Sequence, residues 1–278
     1  MMFIKLKRII SITKEVSNEK GLIFILLFGI KGYYNFFYNH IYCYYVRLWS
    51  MVTKKPIYHV IGDSHSWAFR KNLPFIVHNI GPATAYNVNN KNSTISSYKK
   101  LFEVIKTIDI KRDYIILVFG EIDCRIHIYN QYKKNNESIS LEQLMDRTIS
   151  NYGDVMDQLN MMGVKFYIYC IPPATPYYIR YPPYATTAMK TNIDENLKIK
   201  YPYLVPIDLR VQINMKFNNR LKNYCLSKGY SYIDIYDKVS DLNGYMLLEY
   251  ADDEIHLNTR IVPLVKDCLK NLDAKHNM

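Results

Sequence analysis

The chain has 278 residues, 49% of them hydrophobic, with 36 Lys and Arg against 25 Asp and Glu and a formal net charge of +11. That length and apolar content can bury a sizeable core, most simply as one large domain with an appendage. Five cysteines, Cys43, Cys124, Cys170, Cys225 and Cys268, are widely spaced with no CxxC pair, which argues against a disulfide framework or a structural zinc and suits a reducing compartment.

The positive charge would favour an anionic partner such as membrane lipid, nucleic acid or an acidic glycan. Lys, Asn, Ile and Tyr are all abundant, with 27 Tyr, and their codons are AT-rich, so genome composition explains the basicity equally well. No nucleic-acid recognition motif accompanies the charge, and no nucleic-acid partner is expected.

Residues 1–53 form a segment distinct from residues 54–278. The apolar run Leu22 to Ile30 is bracketed by Lys20 and Lys31, too short for a spanning helix of roughly 20 apolar residues. No small-residue cleavage site follows it, so the segment is expected to be retained and the protein to stay in the cytoplasm. Lys5, Lys7, Arg8 and Lys14, mixed with Phe36, Phe37, Tyr38, Tyr44, Tyr45 and Trp49, suit a helix lying in a membrane interface, which would make the protein membrane-peripheral. A helical hairpin packed on its own domain or on a second subunit is the alternative.

From residue 57 apolar strands and amphipathic helices alternate. Strands are expected at 57–62, 75–81, 114–120, 165–171 and 230–236, as continuous apolar runs buried on both faces of a parallel sheet. Tyr98, Leu101, Phe102, Ile105 and Ile108 share one helical face, as do Leu141, Leu144, Met145, Tyr152, Met156 and Leu159. The second of these helices opens on a capping box, Ser140 with Gln143, and ends at Gly163. A third is expected from a cap at Asp208 to Gly229, and a last one carries Ile261, Val262, Val265 and Leu269. This order predicts a three-layer α/β/α sandwich with right-handed crossovers. A proline- and tyrosine-rich loop, 171–187, follows the fourth strand.

Ligands of such sheets bind beyond the carboxyl ends of the strands, where the first strand delivers Asp63, Ser64 and His65. A hydroxyl needs a base to become a useful nucleophile. Asp253 lies three residues before His256 near the end of the chain. His256 can take the Ser64 proton while Asp253 holds its other nitrogen. A lone Gly-Asp-Ser most often only caps a helix, and a lone DxxH is equally weak. At opposite ends of one α/β domain they reinforce one another. His59 and His78 read as core histidines and Cys124 as a small buried residue.

These blocks resemble the SGNH, or GDSL-like, hydrolases over roughly residues 57–270: Gly62, Asp63 and Ser64 with His65 in place of the usual leucine, Gly81 after the second strand, and Asp253 with His256. The resemblance implies a flavodoxin-like sandwich around a mostly parallel five-stranded sheet, a Ser64 nucleophile, a His256 base oriented by Asp253, and Ser64 and Gly81 N–H groups as oxyanion donors. The stretches "GPATAYN" and "GEIDCRIH" are similar to a bacterial subgroup associated with surface-polysaccharide genes. The family's third block, GxND, supplies an asparagine donor, but here the residues are Gly120, Glu121, Ile122 and Asp123. If this segment is extended, Glu121, Asp123, Arg125 and His127 share a face and Ile122 points away. Arg125 or His127 would then supply the missing positive edge, or Arg125 would bind an anionic sugar. A metal held by Glu121, Asp123 and His127 is disfavoured for want of a second ligand group, and no cofactor is called for.

The sequence thus reads as a serine esterase acting on O-acyl esters, above all O-acetyl groups of a cell-surface glycan or its precursor. Transfer of the acyl group to a sugar from the same site, or a noncatalytic glycan-binding protein that lost the oxyanion asparagine, are the alternatives.

Overall fold

The structure, a computed structural model, describes residues 39–175, 203, 205–253 and 255–276. The apolar run 22–30, the aromatic residues 36–38 and most of the proline-rich loop lie outside them. Two compact units are present, Met1–Lys55 and Pro56–Met278. In the first, residues 39–53 are helical, with Val46 and Ser50 buried. No helix among the described residues is long and apolar enough to cross a membrane.

The second unit is built on five parallel strands: β1 (Tyr58–Gly62), β2 (Phe75–Asn79), β3 (Tyr114–Val118), β4 (Phe166–Tyr169) and β5 (Ser231–Ile233). Their order is β2-β1-β3-β4-β5, the flavodoxin-like arrangement with its switch point beside β1. All of β1 is buried, His59 included. The helices are α1 (Ser97–Ile105), α2 (Ile128–Lys134), α3 (Leu141–Met161), α4 (Ile207–Lys228), α5 (Tyr236–Val239) and α6 (Val262–His276).

Strand alternation assigns the helices to two faces. Tyr58, Tyr114 and Tyr167 cluster on one, with the Tyr58 and Tyr114 rings stacked at 5.2 Å. The Tyr58 and Tyr167 hydroxyls both donate to Asp273 of α6. Phe69 joins this face, packed on Phe75 and Tyr169. Across the sheet α3 and α4 run side by side, tied by Lys216 to Glu142 (2.8 Å), Arg220 to Asp146 (2.5 Å) and Lys228 to Asp157 (3.1 Å). Tyr98 of α1 reaches Gln158 of α3 at 2.8 Å.

The α3 capping box is present at Ser140 and Gln143. Helix α4, however, begins at Ile207 after Pro206. Asp208 sits in its first turn and accepts the Tyr245 hydroxyl at 2.7 Å, so its carboxylate meets the positive end of the helix without capping it. Strand β5 is shorter than its apolar pattern: it ends at Ile233, Asp234 meets Lys222 at 2.8 Å, and α5 begins at Tyr236. His59 is buried, its Nδ1 2.9 Å from His78 Nε2, and Cys124 is fully buried with its thiol pushed far up by burial.

Candidate active site

The end of β1 is pressed against β3. A Cβ on Gly62 would lie 2.2 Å from the Val118 carbonyl oxygen, so only glycine lets the strand leave the sheet here. The next residue, Asp63, caps the 3₁₀ turn Ser64–Phe69: its Oδ1 accepts the His65 N–H at 2.8 Å. The capping role therefore falls to Asp63, and the Ser64 side chain is left half-buried at the sheet edge.

The opposing segment is a turn closed on itself. Asp253 Oδ1 accepts the N–H groups of Ile255 and His256, both at 2.8 Å, and Asp252 N–H donates to the His256 carbonyl at 2.8 Å. Asn258 caps the next turn through Arg260 N–H and ties its amide to the carbonyls of Glu249 and Ala251. This presents His256 with Nδ1 2.7 Å from Asp253 Oδ2 and Nε2 2.7 Å from Ser64 Oγ. Burial would raise the Asp253 carboxyl, but the His256 hydrogen bond and the two backbone donors bring it down to about 2.

Residues 121–134 are helical, with a π-helical turn at Asp123–His127, so the extended arrangement of 121–127 does not form. A helix pairs residues four apart instead of two, and this splits the four polar candidates into two pairs. Glu121 and Arg125 form one. Glu121 is buried, and its Oε1 accepts Arg125 Nε at 2.7 Å and Arg210 Nη2 at 3.0 Å. Its Oε2 lies 2.9 Å from His65 Nε2. Burial opposes ionisation of Glu121, yet Arg125, His65 and Arg210 hold its carboxyl well below the usual range. Burial likewise pushes His65 down, and Glu121 and Asp63 more than reverse it. The His65 ring packs on that of His256 with centroids 4.6 Å apart, so the cluster borders the Ser64 side chain's partner directly.

Asp123 and His127 form the second pair, 3.7 Å apart. Asp123 is fully buried and accepts the N–H groups of Ala85 (2.6 Å) and Tyr86 (3.2 Å). His127 packs its ring on Tyr86 at 4.7 Å, and burial together with Lys134 lowers it to about 4. These residues pin the loop after β2, which carries Gly81. Ile80 N–H donates to the Gly62 carbonyl at 2.9 Å, placing that loop beside the Ser64 strand. Gly81 has φ +95° and its N–H is bonded to Asn79 Oδ1 at 2.9 Å. Ile122, at the asparagine position of the family block, has no side-chain donor.

Among the described residues no group of His, Cys, Asp and Glu is arranged to hold a metal ion. Glu121 is occupied by three cationic donors and Asp123 by backbone N–H groups. In the sequence His65 stands out only as the residue in place of the usual leucine, and Arg210 not at all, since each acts through a carboxylate that only the fold brings near.

No protein-family model matches the chain, and no curated protein sequence matches it. Similar solved structures include a GDSL-like lipase from Bacteroides thetaiotaomicron, with 13% identity, a TM-score of 0.49, and 81% of this chain and 90% of that one covered. An acetyl xylan esterase has 13% identity and a TM-score of 0.44 over 78% of this chain and 99% of that one. What the site can do follows from its own side chains.

Asp123 provides a test of how the Gly81 loop is held. Burial raises its carboxyl to about 7 against the pull of Ala85 and Tyr86. Between the ordinary carboxyl value of 3.8 and about 7 the folded state then binds more protons than the unfolded one, so this group lowers stability as pH rises through that window. Asp123→Asn turns an NH₂ toward a backbone donor and is expected to cost about 1–3 kcal/mol. Urea midpoints at pH 5 and 7.5 should fall less with pH in the variant than in the parent. Equal slopes would mean that Asp123 does not titrate there.

Proposed function

We propose that this chain is a serine esterase of the SGNH type, acting on O-acyl esters. The observation that supports it is the alignment of Ser64 Oγ, His256 and Asp253 through two 2.7 Å contacts. Ser64 Oγ attacks the acyl carbonyl carbon while its proton passes to His256 Nε2. His256 returns that proton to the departing alkoxide as the ester C–O bond breaks. Water, deprotonated by His256, then attacks the acyl carbonyl carbon, and His256 returns that proton to Ser64 Oγ as the acyl–Oγ bond breaks. Asp253 holds the Nδ1 proton and stabilises the imidazolium.

The oxyanion would be held by Ser64 N–H and Gly81 N–H, the second becoming available when the Asn79 amide turns aside. No third donor comes from Ile122, and the absence of one such donor typically costs 10² to 10³ in kcat. The enzyme is accordingly expected to be slow on unactivated esters. Arg125 is bound to Glu121 through Nε, so its part in the site is proposed as positioning rather than direct donation to the oxyanion.

The preference for O-acetyl groups on a cell-surface glycan or its precursor rests on the likeness of residues 81–87 and 120–127 to the polysaccharide-associated subgroup. A sugar hydroxyl in place of water would make the same site an acyltransferase. A fluorophosphonate probe tests the central claim: it should label the protein once, at Ser64, with label lost in Ser64→Ala. An unlabelled native protein would leave a noncatalytic glycan-binding role.

A further inference from the structure

The helix at residues 39–53 carries an apolar face that its own fold leaves uncovered. Ile41, Tyr44, Tyr45, Leu48, Met51 and Val52 are each between 48% and 74% exposed. Their spacing of three, four, seven, ten and eleven residues puts all six on one side. Val46 and Ser50, on the opposite side, are buried, so this is not a surface helix with its apolar stripe turned inward. It has one buried side and a second apolar side facing out. Six large apolar side chains in one stripe mark an interaction surface.

Charge decides among the occupants. Residues 1–55 hold nine Lys and Arg against two Glu, so 55 of 278 residues carry +7 of the net +11. Within the described part, Arg47 flanks the stripe and Lys54 and Lys55 close the helix, all three exposed. Pairing this surface with a second copy would bring two segments of +7 together. An anionic bilayer surface instead attracts such a segment and accepts tyrosine, leucine and methionine at the headgroup boundary. We infer that the 41–52 face is an interfacial membrane contact, and that its partner is a lipid surface bearing anionic headgroups. This inference does not depend on the esterase reading.

The full-length protein should sediment with vesicles of phosphatidylcholine mixed with phosphatidylglycerol and far less with phosphatidylcholine alone, and added salt should weaken the binding. The double variant Tyr44→Glu, Leu48→Glu should weaken it by about tenfold or more with no change in Tm. Val52→Glu, at the most exposed of the six positions, serves if the double variant fails to fold. Binding that survives these substitutions places the lipid contact elsewhere and overturns the assignment. Absence of vesicle binding overturns it too: light scattering would then show either a dimer that the variants dissociate, making the occupant a second copy, or a monomer, which rules out the second copy as well.

Discussion

Ser64→Ala and His256→Ala are each expected to reduce turnover of 4-nitrophenyl acetate by on the order of 10⁴- to 10⁶-fold, with the double variant little worse than either. In the proposed mechanism no acyl-enzyme forms without Ser64, and without His256 the hydroxyl keeps its proton. Each loss therefore removes the same unit, and the two cannot multiply. Asp253→Asn should be milder, because Asp253 is half-exposed and water can partly replace its hold on Nδ1. Its carboxyl, lowered to about 2, stays ionised through any ordinary assay range. An acid limb in the rate profile must therefore come from another group. Steady-state kinetics on the three single variants and the double variant suffices. Full activity in Ser64→Ala, or losses that multiply in the double variant, would remove the serine mechanism.

The parts of this fold that could be read from sequence are those governed by a local period. The five apolar runs became parallel strands because each puts apolar side chains on both faces of a buried sheet, although β5 keeps only Ser231–Ile233. Helix α3 was marked at both ends, by Ser140 with Gln143 and by Gly163 at φ +70°. Ser64 could be placed for a topological reason, since a parallel sheet gathers its strand ends at one edge, whereas Asp253 and His256 lie well beyond β5 and could be singled out only by their three-residue spacing. Residues 121–127 were not legible. With charges at every second position they fit a strand, yet burial of Cys124 and the hold of Asp123 on Ala85 and Tyr86 select a helix with a π-helical turn. That choice moved Arg125 onto Glu121 and His127 onto Asp123. The contacts of His65 and Arg210 with Glu121 span 56 and 89 residues, beyond the reach of any periodic pattern. Asp208 shows the smaller error: an acidic residue near a helix start reads as a cap, while Pro206 fixes the start two residues earlier.

Glu121→Gln is expected to destabilise the fold by about 3–5 kcal/mol, the usual consequence of removing one partner from a buried charged cluster. Glu121 has only 2% of its side chain exposed and receives donors from His65, Arg125 and Arg210. A glutamine carbonyl can still accept from a guanidinium, but its NH₂ then faces a third donor, and the positive charge of Arg210 is left without a counterion in a buried site. The pH profile should carry the same signature. The depressed carboxyl of Glu121 contributes stability above its ordinary value of 4.5, lost as pH falls through the folded value. The raised His65 contributes stability fully present below its ordinary value of 6.5 and lost as pH rises through the folded value. Together they favour the window between, and Glu121→Gln should flatten that maximum as well as lower it. Arg125→Ala should cost less, since its side chain is 22% exposed and Arg210 and His65 remain on the carboxylate. Because the His65 ring supports that of His256, Glu121→Gln should also lower kcat more than it raises KM when assayed well below its own Tm. Urea denaturation at pH 4, 5.5 and 8 reads the stability, and a midpoint unchanged at all three would show that Glu121 is not what holds His65 and the two arginines in place.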